Sequence, residues 1–183
     1  KRDLFRSCNL GLLEESIRMG VDVIGGAPHI EYTREDGVRD VETVFELAEK
    51  HDKLIDIHID ETGDPHSRFI EVMAKESINR HMGPRATGSH TTAMHNYDND
   101  YAYKLIGNLA KANMNMIVNP SANLLLQSRM CGYPNLAALP GLMKCWQGAS
   151  MYPSDTTPLW IPGIPSAKHV CSSRHSSCST PVT

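Results

Sequence analysis

The chain has 183 residues, 40% of them hydrophobic, and a formal net charge of −3. That is enough for one globular domain with a real core; no apolar run is long enough to cross a membrane, and no Lys/Arg block is interleaved with aromatics, so neither a membrane span nor a nucleic-acid surface is expected and the partner is a small molecule. The five cysteines, Cys8, Cys131, Cys145, Cys171 and Cys178, are odd in number and contain no Cys-x-x-Cys pair, which argues against a disulfide framework or a zinc ribbon and for a reducing, cytoplasmic compartment.

The opening, Lys1-Arg2-Asp3-Leu4, carries neither an initiator Met nor a signal-type stretch, so the chain is expected to start inside a longer gene. Leu10, Leu13 and Ile17 line one helical face before Gly20, and Val21–Ile24 followed by Gly25-Gly26 reads as a buried strand ending in a loop. Asp40 is expected to cap a helix whose Val41, Val44, Phe45 and Ala48 recur at helical spacing, and Leu54–His58 is the next strand. Phe69, Val72 and Met73 mark a third helix stopping near Gly83, followed by a strand over residues 85–90. Ala102, Leu105, Ile106 and Leu109 mark a fourth helix, and Met116-Ile117-Val118 the strand before the breaker Asn119-Pro120.

Strands alternating with helices at about thirty residues per unit predict parallel βα units, the repeat of an eight-stranded (β/α)8 TIM barrel. The fold expected is therefore α/β: about four central units of such a barrel, over residues 1–134. A doubly wound open sheet competes, but Gly25-Gly26-Ala27-Pro28 does not fit G-x-G-x-x-G. From Asn135 the composition changes. Pro140, Pro153, Pro158, Pro162 and Pro165 lead into a Ser-rich end with no apolar period, so residues 135–183 are expected to be an unstructured tail, frameshifted or disordered. Within it His169, Cys171, His175 and Cys178 are ligand types, but their spacing matches no standard finger.

The chemistry falls where strands end, which in a barrel is the mouth of the active site. Period-two alternation places Asp56, His58 and Asp60 on one face, with His58 at the strand's C-terminal end. A neutral imidazole there can bind a divalent metal, and Glu61, three residues on, can reach the nucleophilic water without being a ligand. The next strand ends in His90, so a second histidine can face the same mouth. The bland alternative is that each is a hydrogen-bonded loop residue. Recurrence at consecutive strand ends, with a Glu at +3, raises the functional reading level with that alternative. His29, His51, His66, His81 and His95 lack such support; they are expected in loops or at the surface, with His29 at most behind the first ring of ligands.

Residues 25–35 (GGAPHIEYTRE), 54–61 (LIDIHIDE), 89–95 (SHTTAMH) and Asn119-Pro120 with Asn123 together resemble, in order over about residues 9–134, bacterial cytosine deaminase and related metal-dependent amidohydrolases. The resemblance implies a (β/α)8 barrel holding one divalent ion, zinc or iron, with His58 as a metal ligand, Glu61 as general acid/base and His90 facing the nucleophile and substrate. It implies hydrolytic removal of an amino group from a small heterocycle such as cytosine, with isoguanine, creatinine-like or triazine compounds as alternative substrates, and a homo-oligomeric intact parent.

The departures are as specific. The family's other ligands are a His-x-His pair and a later aspartate; no His-x-His occurs in this sequence, and no Gly-His-Asp follows. Read one nucleotide out of frame, permissible codons for Pro153 to Thr157 spell Phe-Gly-His-Asp, and those from Trp160 to Ala167 spell Asp-Pro-Trp-Tyr-Pro-Leu-Gly, which is the basis for expecting a frameshift near Asn135. The chain as written is expected to be inactive alone. A non-catalytic remnant or small binding module retaining the barrel motifs is the alternative.

Overall fold

A computed structural model describes residues 9–119, Asn123 and the strand Leu159–Trp160. Helix α1 (Asn9–Arg18) leads into β1 (Val23–Ile24) and a 3-10 turn at Pro28–Ile30. Then come α2 (Arg34–His51), β2 (Leu54–Ile59), α3 (Phe69–Asn79), β3 (Ala86–His90), α4 (Asn99–Ala112) and β4 (Asn115–Ile117), with further 3-10 turns at Gly83–Arg85 and Thr92–Asn96. The strands form one parallel sheet in the order β1-β2-β3-β4-β5, where β5 is Leu159–Trp160. Parallel strands joined by helices are the predicted βα units, and the chain is a partial (β/α)8 barrel.

The tail contributes β5, where Met116 and Ile117 pair with Leu159 and Trp160. Prolines bracket this short strand on either side, so no periodic signal marks it. The remainder of residues 135–183, including the His169–Cys178 pattern, lies outside the described residues.

Helix α2 begins seven residues before the expected start. Its N-cap is Thr33, whose Oγ1 accepts from the Asp36 amide at 3.1 Å, while Glu35 and Asp36 complement the positive end of the helix dipole. Asp40 is instead inside the helix, where it is buried. The pattern Thr33-Arg34-Glu35-Asp36 has the Ser/Thr-x-x-acid form of a helix start and was the signal to follow. Helix α4 opens on Asp98, which accepts from the Tyr101 amide at 2.8 Å; α2 and α4 end on Asp52 and Asn113 in the left-handed region.

Helices α2, α3 and α4 pack side by side, and one face of the sheet packs beneath them. On β2 the residues facing the helices are Ile55, Ile57 and Ile59, fully buried in a core with Val44, Phe45, Ile70 and Met73. Asp56 and His58 alternate onto the opposite face and are only half-buried. This alternation is what delivers polar chemistry to one side of the sheet and apolar area to the other. Each fully buried Ile contributes about 1.5–3 kcal/mol of transfer free energy.

Candidate active site

His58, Glu61 and His90 converge at the C-terminal ends of β2 and β3, their ligand atoms within 4.8 Å of one another. Glu61 Oε2 lies 3.4 Å from His58 Nδ1, and Glu61 Oε1 lies 3.7 Å from His90 Nδ1. The two imidazole centroids are 4.8 Å apart and tilted by 33°. The Glu61 side chain is only 6% exposed, whereas that of His58 is 39% exposed, so the carboxylate sits at the floor and His58 at the rim.

The histidines are not at equivalent strand positions. Registry pairs His58 with Ser89 and Ile59 with His90, so His90 is one residue further along. Strict alternation would send it, like Ile59, toward the helices. Its φ of 77°, followed by 49° at Thr91, departs from strand geometry, and its ring reaches Glu61. Backbone strain of this kind at a non-glycine residue costs on the order of 1–3 kcal/mol and persists only where the surroundings enforce it.

Asn123 is part of that enforcement. Fully buried, it lies with Oδ1 2.9 Å from His90 Nδ1. The Nδ1–H donates to that oxygen, which leaves the lone pair of the neutral ring on Nε2. Among the described residues the Asn123 Nδ2 has no hydrogen-bond partner.

Asp60 does not share the face of His58. Its φ of 49° breaks the alternation, and its fully buried carboxylate turns toward α3, where it accepts from Ser67 Oγ, Phe69 N, Ile70 N and the Tyr97 hydroxyl. Burial pushes the Asp60 carboxyl above its ordinary range against these donors, which draw it down. Period-two reasoning could not foresee this, because it assumes that the strand continues.

The β2–α3 and β3–α4 loops are stitched together around the site. Thr92 Oγ1 bonds the carbonyls of Asp60 at 3.1 Å and Thr62 at 3.2 Å, the Ala93 amide also donates to the Asp60 carbonyl, and Asn96 Nδ2 donates to Gly63 O at 2.7 Å. The Tyr97 hydroxyl contacts Ser67 O as well as Asp60, and Arg68 lies 3.9 Å over the Tyr101 ring. Glu61 and His90 are therefore carried on one rigid assembly. The β1 end joins from the other side: His58 N donates to Gly26 O at 3.0 Å, and His29 Nδ1 donates to His58 O at 3.1 Å. His29 is thus in contact with the strand end rather than at an idle surface.

Two imidazoles and a carboxylate are the donor types that suit a divalent transition metal. Ligand atoms around a tetrahedral ion are roughly 3.3–3.5 Å apart, so the 3.4 Å separation of His58 Nδ1 and Glu61 Oε2 fits, whereas His90 Nδ1, whose proton is given to Asn123, leaves only Nε2 of that ring to face an ion or its water. The residues present fit such an ion.

A model of the amidohydrolase family matches residues 4–149. The chain belongs to the amidohydrolase family. Among solved structures it is similar to 5-methylcytosine deaminase from Klebsiella pneumoniae liganded with 5-fluorocytosine, at 39% identity and a TM-score of 0.74 over 76% of this chain and 34% of that one. The same enzyme liganded with phosphonocytosine gives 40% identity and a TM-score of 0.73 over 75% of this chain and 33% of that one. N-isopropylammelide isopropylaminohydrolase from Burkholderia multivorans shares the fold, with 19% identity and a TM-score of 0.59 over 79% of this chain and 34% of that one. An uncharacterized protein of Haemophilus influenzae is 29% identical over 105 residues, 56% of this chain and 37% of that protein. The chain spans about a third of the length of these relatives. No helix among the described residues is long and apolar enough to cross a membrane.

Proposed function

We propose that this chain carries the proton-transfer part of a cytosine deaminase-like active site, whose whole protein hydrolyses the exocyclic C–N bond of a small amino-substituted heterocycle. The observation that supports it is the convergence of His58, Glu61 and His90 within 4.8 Å at two strand ends. His58 would hold a divalent ion, zinc or iron, together with ligands from the rest of the protein, and the ion would supply Lewis-acid activation of water.

Glu61 does the proton work. As a carboxylate between two imidazoles it takes a proton from the attacking water as oxygen adds to the ring carbon bearing the amino group. As an acid it returns that proton to the exocyclic nitrogen, the C–N bond breaks and ammonia leaves. His90, oriented by Asn123, faces the nucleophile and substrate, and its fixed tautomer keeps the hydrogen-bonding sense of its Nε2 constant through both steps. The resemblance to an enzyme liganded with 5-fluorocytosine favours a pyrimidine over isoguanine, creatinine-like or triazine substrates. The cysteine pattern supports a cytoplasmic setting.

Residues 9–119 grafted in place of the matching segment of the Klebsiella pneumoniae enzyme should release ammonia from 5-methylcytosine or cytosine. Glu61→Gln in that graft should lower kcat by about 10²–10⁴-fold while the protein stays folded. A Glu61→Gln graft as active as its parent would remove Glu61 from the proton path and sink the reading. The chain by itself should show no ammonia release above background, since with no His-x-His in its sequence it brings too few ligands to hold the ion tightly.

A further inference from the structure

Asp40 has no part in the chemistry above, yet it occupies a costly position. It is 1% exposed on the inner side of α2, its Oδ2 accepts from the Ala27 amide at 3.0 Å, and among the described residues its Oδ1 has no hydrogen-bond partner. A buried carboxylate with one donor is expensive, and an apolar or hydroxyl side chain at this helix position would avoid that expense. Burial lifts its carboxyl to about 7, the Ala27 amide opposes that lift, and the nearby Glu31 adds to it.

What the carboxylate touches gives it a purpose. A Cβ on Gly26 would lie 2.7 Å from Asp40 Oδ1 and 2.9 Å from Oδ2, so the carboxylate is pressed against the Gly26 backbone while it binds the next amide. That same segment brackets the peptide of His58 on both sides: Gly26 O accepts from His58 N, and His29, carried on the turn after Ala27, donates to His58 O. Both backbone polar groups of the proposed ligand are thereby engaged by the segment that Asp40 grips.

We propose that Asp40 is a positioning residue for His58: by clamping Gly26 and Ala27 it fixes the 26–29 segment that brackets the His58 peptide and so aims its imidazole. This rests on the reading of His58 as a metal ligand, and the clamp itself can be tested without metal. Outer partners that orient metal ligands typically affect affinity by roughly 10–100-fold, which sets the scale expected.

The experiment uses the full chain and its Asp40→Asn, Asp40→Leu, Gly26→Ala and Gly26→Ala/Asp40→Ala variants. Imidazole nitrogen shifts of His29 and His58 are read by NMR on the full chain in metal-free buffer, and zinc affinity is read by calorimetry with the same substitutions in the graft described above, which supplies the other ligands. Asp40→Asn keeps an acceptor for the Ala27 amide and should preserve the Nδ1–H signature of His29. Asp40→Leu should lose that signature and weaken zinc binding about tenfold. Gly26→Ala, whose methyl collides with the carboxylate, should act like Asp40→Leu, and the double variant, which lacks the carboxylate altogether, should not regain the signature. Retention of the His29 signature in Asp40→Leu overturns the clamp. If Asp40→Leu does not fold, recovery of the signature in the double variant, which has no carboxylate at position 40, does the same. Absence of zinc binding by the unsubstituted graft would count against the ligand reading, while the His29 shifts still decide the clamp.

Discussion

A carboxyl that titrates near 7 when folded and near 3.8 otherwise ties stability to pH in a definite direction. Between those values the folded chain holds a proton on Asp40 that the unfolded chain has released, so stability falls as pH rises through that window and then levels off. Denaturant midpoints should drop between about pH 5 and about pH 8, and Asp40→Asn should flatten that slope; an unchanged slope would show that Asp40 is charged throughout. Asp60 presents the opposite economy, with four donors on one buried carboxylate. Asp60→Ala leaves the Phe69 and Ile70 amides without that partner and should cost at least about 2 kcal/mol in chemical denaturation. His58, Glu61 and His90 were legible in the sequence because strand ends and the +3 spacing are local features. Asp40 and Asp60 were misplaced, since one depends on a tertiary contact across α2 and the other on a left-handed residue that ends the alternation.

At the scale of elements, the four predicted helices and β2 were readable because each carries its own period, 3.6 in Val41, Val44, Phe45 and Ala48 and 2 in Ile55, Ile57 and Ile59, while β1 and β4 were readable as short apolar runs before the breakers Gly25-Gly26 and Asn119-Pro120. Boundaries were less so. The α2 start was hidden by Gly37, which interrupts the apolar pattern inside the first turns. Thr33→Ala removes the cap and should destabilise by about 0.5–2 kcal/mol. The link from α3 to β3 makes a harder demand. A Cβ at Gly83 would lie 1.7 Å from the carbonyl oxygen of Ala112, at the end of α4. Because the obstacle is backbone, Gly83→Ala should exceed the about 1–3 kcal/mol usual for overpacking, and thermal unfolding of this variant against wild type would measure it.

Across the whole molecule, β1 and β5 border the described sheet, and large apolar side chains stand exposed near β1 and α1: Leu12 at 61%, Met19 at 82%, Val23 at 48% and Leu54 at 49%. Among the described residues no strand pairs beyond these two, and sheet edges flanked by such groups favour association. Sedimentation of the purified chain should show concentration-dependent self-association, reduced by Val23→Lys; a monodisperse monomer at high concentration would refute this. That long-range property was foreseeable from the count of strands alone, whereas β5 was not, because two residues carry no period. The stitching of the β2–α3 loop to the β3–α4 loop reaches beyond stability. Recombination that swaps either βα unit alone would sever Thr92 from Asp60 and Thr62, and Asn96 from Gly63, so the smallest heritable cassette able to carry Glu61 and His90 intact into another barrel is the pair of units together.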